Sequence, residues 1–359
     1  MRQELPELAS ACRRMTGEAQ PPLPDPGDEY ILPLRWQDDS ALVELLSYLE
    51  RLCSWITVTV VDGSPDELFH RHASRFPAAV KHVRPASGGG GNGKVSAVLT
   101  AVRMSTAERL VLADDDVRYT RAALAAVVAA LDSAEVVRPQ NYFSRLPWHA
   151  RWDTSRTLIN RAFADDFPGT LAVRRSALEA TGGYEPVLFE NLELIRTVTA
   201  AGGREQPAPE LFVARLPPTA KHFLKQRVRQ AYDDFAQPGR LAAELALLPL
   251  LAGTLCLPSR RRTPALLGGA AAAMAVAEAG RRRHGGRKVF PFPTVLFAPL
   301  WVLERSVCVW LALGFRLCGG VPYAGSRLKT AAHSKALLRL RHAGKIRPAP
   351  SSRTDWKKQ

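Results

Sequence analysis

The sequence predicts an α/β protein with a mainly parallel sheet covered by helices on both faces, and three observations carry that expectation. From residue 29 onward, short β-branched or aliphatic runs alternate with stretches whose apolar residues recur at helical spacing. Two of the runs, VTVVDG at 58–63 and RLVLADDD at 109–116, are dense in apolar residues, as strands buried on both faces are, and both break off in aspartates. The 359 residues are 46% hydrophobic, too apolar for a disordered chain and enough for one large domain or two moderate ones.

Residues 1–28 are polar and proline-rich and read as a loose extension, without the basic and apolar regions of a signal peptide. Residues 30–34 read as a short buried strand. In 40–53, Leu42, Leu45, Leu46 and Leu49 mark a helix. ITVTVV at 56–61 reads as a strand ending in the turn Asp62-Gly63-Ser64-Pro65. A short helix and a strand at 79–83 follow, then the glycine-rich loop SGGGGNGK at 87–94 and a helix at 95–102. The strand at 109–113 stops abruptly at Asp114, Asp115 and Asp116, ahead of a helix in the region 120–131. Further on, 170–173 reads as a strand, 188–201 as a helix, and 216–235 as a helix rich in Lys, Arg and Gln. In parallel sheets ligands sit at the carboxyl ends of strands, where Asp62 and the triplet fall.

Charge divides the chain. Residues 1–240 hold 29 basic and 30 acidic side chains, whereas 241–359 hold 20 basic and 4 acidic, so the whole net charge of +15 lies in the last third. A nucleic-acid-binding fold needs a basic face on its body, and this body is near neutral, so no nucleic-acid partner is expected. The basic tail carries three stretches of 15 uncharged residues, 245–259, 263–277 and 289–303. Each falls short of the ~18 apolar residues of a confident span, unless the third runs on through Glu304 and Arg305 to Phe315. Transmembrane, in-plane and re-entrant helices all fit, and so does a soluble helical domain; anionic membrane lipids are the expected partner. Five scattered cysteines exclude a disulfide scaffold, and the eight histidines show no metal-ligand spacing.

Three adjacent carboxylates repel one another. A hard divalent cation, Mg²⁺ or Mn²⁺, relieves that repulsion; so does a solvated turn in which Asp116 caps the next helix. Seven segments taken in order choose between these. YILPLRW (30–36), VTVVDGSP (58–65), GNGKVSAVLTAV (91–102), RLVLADDDV (109–117), DFPGTLAVRRSALEATGGYEP (166–186), FENLELIRTVTAAGG (189–203) and QRVRQ (226–230) together resemble the family-2 type of glycosyltransferase, membrane-bound members included. The resemblance covers about 200 positions and implies the nucleotide-sugar-binding fold called GT-A.

The resemblance implies a metal held by Asp114, Asp115 and Asp116 against the diphosphate of a nucleotide-sugar donor. It implies Asp62 on the nucleotide, Lys94 near the phosphates, Arg227 and Arg229 as diphosphate clamps, and Gly169 and Thr170 beside the acceptor. Two departures stand out. The family's basic motif ends in Trp where this chain has Gln230. Its Glu-Asp motif, whose Asp is the general base, reads Glu190-Asn191 here. An amide cannot take the acceptor's proton, which leaves Glu190 or Glu193 as the base, or a catalytically inactive, nucleotide-sugar-binding or scaffolding protein. The expected organisation is a flexible extension (1–28), a GT-A-like domain (29–236), a hydrophobic helical membrane-associated region (237–320) and a basic tail (321–359). The expected activity is metal-dependent, inverting transfer to a lipid or membrane-linked glycan at the inner or plasma membrane, with the catalytic domain facing the cytoplasm.

Overall fold

The computed structural model describes residues 27–86, 92–163, 166–323 and 326–347. Most of the expected extension, the glycines at 88–91 and the last twelve residues lie outside the described residues. An eight-stranded sheet forms the centre, in the order β3-β2-β1-β4-β7-β6-β8-β5. Its strands are β1 (Glu29–Leu34), β2 (Thr57–Asp62), β3 (Val80–Val83), β4 (Arg109–Ala113), β5 (Val117–Arg118), β6 (Val136–Phe143), β7 (Thr170–Arg174) and β8 (Glu205–Arg215). The first half is parallel, as expected: β1 lies between β2 and β4, and β3 flanks β2. The second half is mixed, because β7 runs antiparallel to both β4 and β6 and β5 antiparallel to β8. Strand order reverses between β1 and β4, the point at which open α/β sheets form a crevice outside the carboxyl ends of their strands.

Two apolar layers cover the sheet. On one face, α1 (Leu42–Cys53) buries Leu45, Leu49 and Leu52, and α4 (Arg121–Ala129) buries Leu124, Val127 and Val128, after α2 (Asp66–Ala73) has linked β2 to β3. Each fully buried Leu or Val stabilises by about 1.5–3 kcal/mol. On the other face, α3 (Gly93–Met104) buries Val95, Val98 and Val102; α6 (Arg175–Thr181) adds Leu178, and α7 (Glu190–Ala200) adds Leu194 and Val198. Asn92 caps α3 by accepting a hydrogen bond from the Lys94 amide at 3.0 Å, which fixes where Lys94 leaves the helix.

Four long helices, α5 (Trp148–Ala162), α9 (Pro238–Leu255), α10 (Ser259–Arg282) and α11 (Ala298–Leu317), stand against the far end of the sheet with α8 (Ala220–Tyr232). Helix α10 crosses α5 closely at Gly280, where a Cβ would fall 1.8 Å from the Leu158 carbonyl oxygen. Among the described residues one helical stretch, Phe292–Leu317, is long and apolar enough to cross a membrane. It runs through Glu304 and Arg305, as the extended reading of the third apolar stretch requires. Arg305 is buried inside the protein on Asp234 (2.9 Å) rather than turned outward.

The boundary expected at 320 does not separate the tail in space. The hairpin β9 (Val321–Tyr323) and β10 (Ser326–Leu328) and helix α12 (Lys335–His342) return to the sheet-bearing part of the chain. The Leu188 and Phe189 amides donate to the Thr330 and Ala331 carbonyls, which lays this segment over the start of α7.

Candidate active site

The end of β4 places Asp114 at the crevice. Its amide donates to the Gly169 carbonyl (2.9 Å), which continues the β4–β7 ladder by one residue. Its Oδ1 lies 2.6 Å from Lys94 Nζ and its Oδ2 3.9 Å from Arg215 Nη2. Burial alone would raise the Asp114 pKa; Lys94 and Arg215 outweigh it and hold the carboxylate below its ordinary value. Lys94 Nζ also donates to Glu190 Oε1 at 2.8 Å, so one ammonium joins β4 to α7. Burial opposes its charge, but Asp114 and Glu190 keep it well above the usual lysine range.

The other two aspartates diverge. Asp115 turns to the Trp36 indole N–H at the end of β1, away from its neighbours. Asp116 Oδ2 accepts from Arg215 Nε at 2.6 Å, while its Oδ1 is buried without a hydrogen-bond partner. Burial, with Arg215 opposing and Asp114 and Asp115 adding, pushes the Asp116 carboxyl up to about 6. The triplet therefore does not converge as a set of three. Asp114 and Asp116 suit a divalent cation, on two observations. Asp116 keeps an orphaned carboxylate oxygen, and Gly169 leaves a cradle in which a Cβ would fall 2.5 Å from Asp114 Oδ2. Asp115 gives one carboxylate oxygen to Trp36, and the three carboxylates do not gather as one group among the described residues.

The remaining predicted residues fall into two groups. Gly169, Glu190 and Arg229 line one polar cleft with Asp114, a cavity of about 170 Å³. Asn191 lines it too and donates to the Pro168 carbonyl at 2.9 Å. Glu193, Thr170, Arg227 and Asp62 do not line it. Glu193 is fully buried, with its carboxylate held by the His333 amide and ring, both at 2.7 Å, so it anchors the returning tail and cannot reach an acceptor. Thr170 donates to the Leu112 carbonyl (2.7 Å) within the sheet. Arg227 is buried against Asp153 (3.2 Å) and Glu304 (3.4 Å), tying α8 to α5 and α11.

Asp62 is sealed at the end of β2. It accepts from the Ser64 amide (2.8 Å) and pairs with His72 Nδ1 (2.6 Å) and His82 Nε2 (3.1 Å). Burial opposes its charge, yet these partners hold it far below the ordinary carboxylate range. The fold brings together two histidines that sequence spacing does not link. Asp62, His72 and His82 keep their ligand atoms within 4.8 Å of one another, a group with the chemistry to hold a metal ion. Sequence spacing hides it, since one histidine ends α2 and the other sits on β3.

Sequence reasoning missed Arg215, Arg240, Arg305 and Asp233, all of which line the cleft. Arg215 ends β8, a strand whose Pro207 and Pro209 argue against strand assignment. The run Leu211, Phe212, Val213, Ala214 before the pair Pro217-Pro218 was the available signal. Asp233 follows α8; its Oδ1 is buried without a hydrogen-bond partner. Burial, with Asp234 and Glu190 adding against Arg229, pushes its carboxyl up to about 7.

The chain is similar to known proteins over these elements. A model described as glycosyltransferase-like family 2 matches residues 36–233. No curated protein matches the chain. A mannosyltransferase from Pyrobaculum calidifontis, solved with GDP-mannose and Mn²⁺, is 18% identical over 85% of this chain and 93% of its own, with a TM-score of 0.47. Glucosyl-3-phosphoglycerate synthase from Mycobacterium tuberculosis, solved with Mn²⁺, UDP and glucosyl-3-phosphoglycerate, is 14% identical over 55% of this chain and 76% of its own, with a TM-score of 0.38. The matched segment takes in more than half of the chain, from Trp36 at the end of β1 to Asp233 in the cleft, and the chain belongs to glycosyltransferase-like family 2.

Proposed function

We propose that this glycosyltransferase moves a sugar, with inversion, from a nucleotide-sugar donor to a lipid or membrane-linked glycan acceptor, and that Mg²⁺ or Mn²⁺ serves it. The observation that carries the reading is the cluster at the crevice, where Asp114, Lys94, Glu190 and Arg215 meet beside the orphaned Asp116 oxygen. Asp114 and Asp116 would hold the cation, which supplies positive charge to a departing diphosphate. Arg229 lines the same cleft and offers a guanidinium fork to phosphate oxygens.

Glu190 is the proposed base. Lys94 and the Asn92 amide (3.3 Å) orient its carboxylate at the cleft wall, on the helix that opens with the family's altered motif. It takes the acceptor hydroxyl proton as that oxygen attacks the anomeric carbon and the nucleoside diphosphate leaves. The membrane part of the proposal is supported by exposed Leu250, Leu267, Leu303, Leu311 and Leu317 on α9, α10 and α11, a broad apolar surface.

A donor screen tests the proposal: membranes holding the full chain are supplied with nucleotide sugars, with Mn²⁺ or Mg²⁺ and with chelator. Metal-dependent sugar incorporation into the lipid or glycan fraction is expected. Absence of both transfer and donor hydrolysis across all donors would favour a binding or scaffolding protein instead, the reading that Asn191 raises.

A further inference from the structure

Beside the polar cleft lies a second cavity of about 610 Å³, within the range of ligand pockets. It opens between α5, α9, α10 and α11, and its character is the opposite of its neighbour's: Ile159, Leu247, Gly269, Val276, Trp301 and Val302 wall it. The two cavities adjoin across a shared wall. Asn160, Gln237 and Arg240 line both. At that junction Arg240 is held by Asp234 (2.9 Å), Glu244 (3.0 Å) and Asn160 (2.8 Å). Two polar atoms in the apolar wall are buried and make no hydrogen bond, Trp301 Nε1 and Glu244 Oε2, the latter with its cation Arg305 standing off at 3.7 Å. At the rim, Phe163 is exposed, and the helices that form the walls carry the exposed leucines of the apolar surface.

We propose that this groove binds the hydrocarbon chain of a lipid acceptor, whose hydroxylated head passes Asn160, Gln237 and Arg240 into the catalytic cleft. The inference rests on the glycosyl-transfer reading of that cleft and names its acceptor class. An apolar trough adjoining a charged cleft suits an amphipathic molecule, because each half of the ligand meets its own kind of wall. A hydroxyl at the junction would satisfy Glu244 Oε2. The helices that wall the trough also carry the exposed leucines, so a bilayer that covers those leucines would bring its lipids to the trough.

The test uses the full chain in phosphatidylcholine vesicles containing a diacylglycerol with a diazirine midway along one palmitoyl chain. Photolabelled peptides are mapped in wild type, Gly269→Trp and Gly268→Trp. A Cβ at either glycine meets nothing within 4 Å, and only position 269 lines the groove; thermal unfolding of both variants checks that they fold alike. Labelling is expected to concentrate in α9, α10 and α11 at the groove, to fall about tenfold in Gly269→Trp, and to persist in Gly268→Trp. Labelling spread evenly over the exposed apolar faces, or unchanged in Gly269→Trp, would overturn the proposal. So would sedimentation showing a dimer that Gly269→Trp dissociates, since a second copy would then be the occupant. Mn²⁺-dependent binding of UDP and GDP, measured on the same preparations, reports on the donor side alone. Its loss with groove labelling intact would sink glycosyl transfer and leave the groove; the reverse would sink only the groove.

Discussion

Lys94 is the residue on which the cleft turns, because its ammonium stands between the carboxylate proposed for the metal and the one proposed as base. Two carboxylates in this cleft compete for the second role. Glu190 is oriented by Lys94 and Asn92, whereas Asp233 has an unpaired buried oxygen. Steady-state transfer rates separate them: Glu190→Gln is expected to lose about 10²–10⁴-fold, the scale of general base catalysis, and Asp233→Asn to keep most activity. The reverse pattern would move the role to Asp233. Asp233 also has a pH signature of its own. Its folded pKa of about 7 lies above its unfolded value of 3.8, so the native state binds that proton more tightly. Its contribution is fully present below the unfolded pKa and is lost as pH rises through the folded one. Asp233→Asn should therefore gain Tm relative to wild type between pH 5 and pH 8; a difference independent of pH would contradict the assignment. Of the predicted site, Asp114, Gly169, Glu190 and Arg229 were legible as motif residues that meet in one cleft. The fates of Asp62, Glu193 and Arg227 were not legible, since each is held by a partner remote in sequence: His82, His333 and Glu304.

At the scale of elements, what could be read was what apolar periodicity reports. Helix α1 and strands β1, β2 and β4 each bury a plain apolar face, and their sequence signals coincide with the observed elements. Helix α5 was invisible to the same test, because the residues it buries include Asp153, Thr154, Ser155, Asn160 and Arg161. It faces a charged interior, not an oily one, and no hydrophobic stripe marks it. Its contact with α10 depends on Gly280 and on Arg161, whose guanidinium donates to the Gln140 side chain (2.8 Å) and the Arg283 carbonyl (2.7 Å). Gly280→Ala should force the helices apart and cost about 1–3 kcal/mol as overpacking. Gly268→Ala, in open space on the same helix, should stabilise by up to ~1 kcal/mol through helix propensity. Thermal unfolding of the two variants measures this, and equal shifts would contradict the close crossing.

At the scale of the whole molecule, charge is sorted. A body of net −1 is joined to a tail of net +16, and buried ion pairs bolt the two together: Arg305 to Asp234 and Arg227 to Glu304. Other tail charge among the described residues faces outward at one helix start. Arg260, Arg261 and Arg262 are exposed at the start of α10, beside Leu255, Leu257 and Leu266. Replacing the three arginines with Gln should weaken binding to anionic vesicles by about 1 kcal/mol per residue, with little change on neutral vesicles. Flotation assays at low and high salt read both, and equal loss on neutral vesicles would mean that the arginines support the fold rather than touch lipid.

The central claim is that the crevice at the end of β4 holds a divalent cation against a nucleoside diphosphate. Titration calorimetry of UDP and GDP into the full chain, with Mn²⁺ and with chelator, tests it most directly in wild type and in Asp114→Ala/Asp116→Ala. The account predicts binding of at least one nucleotide that requires Mn²⁺ and is lost in the double variant while its Tm shows a folded protein. Binding that survives chelation, or that the folded double variant retains in full, would contradict it.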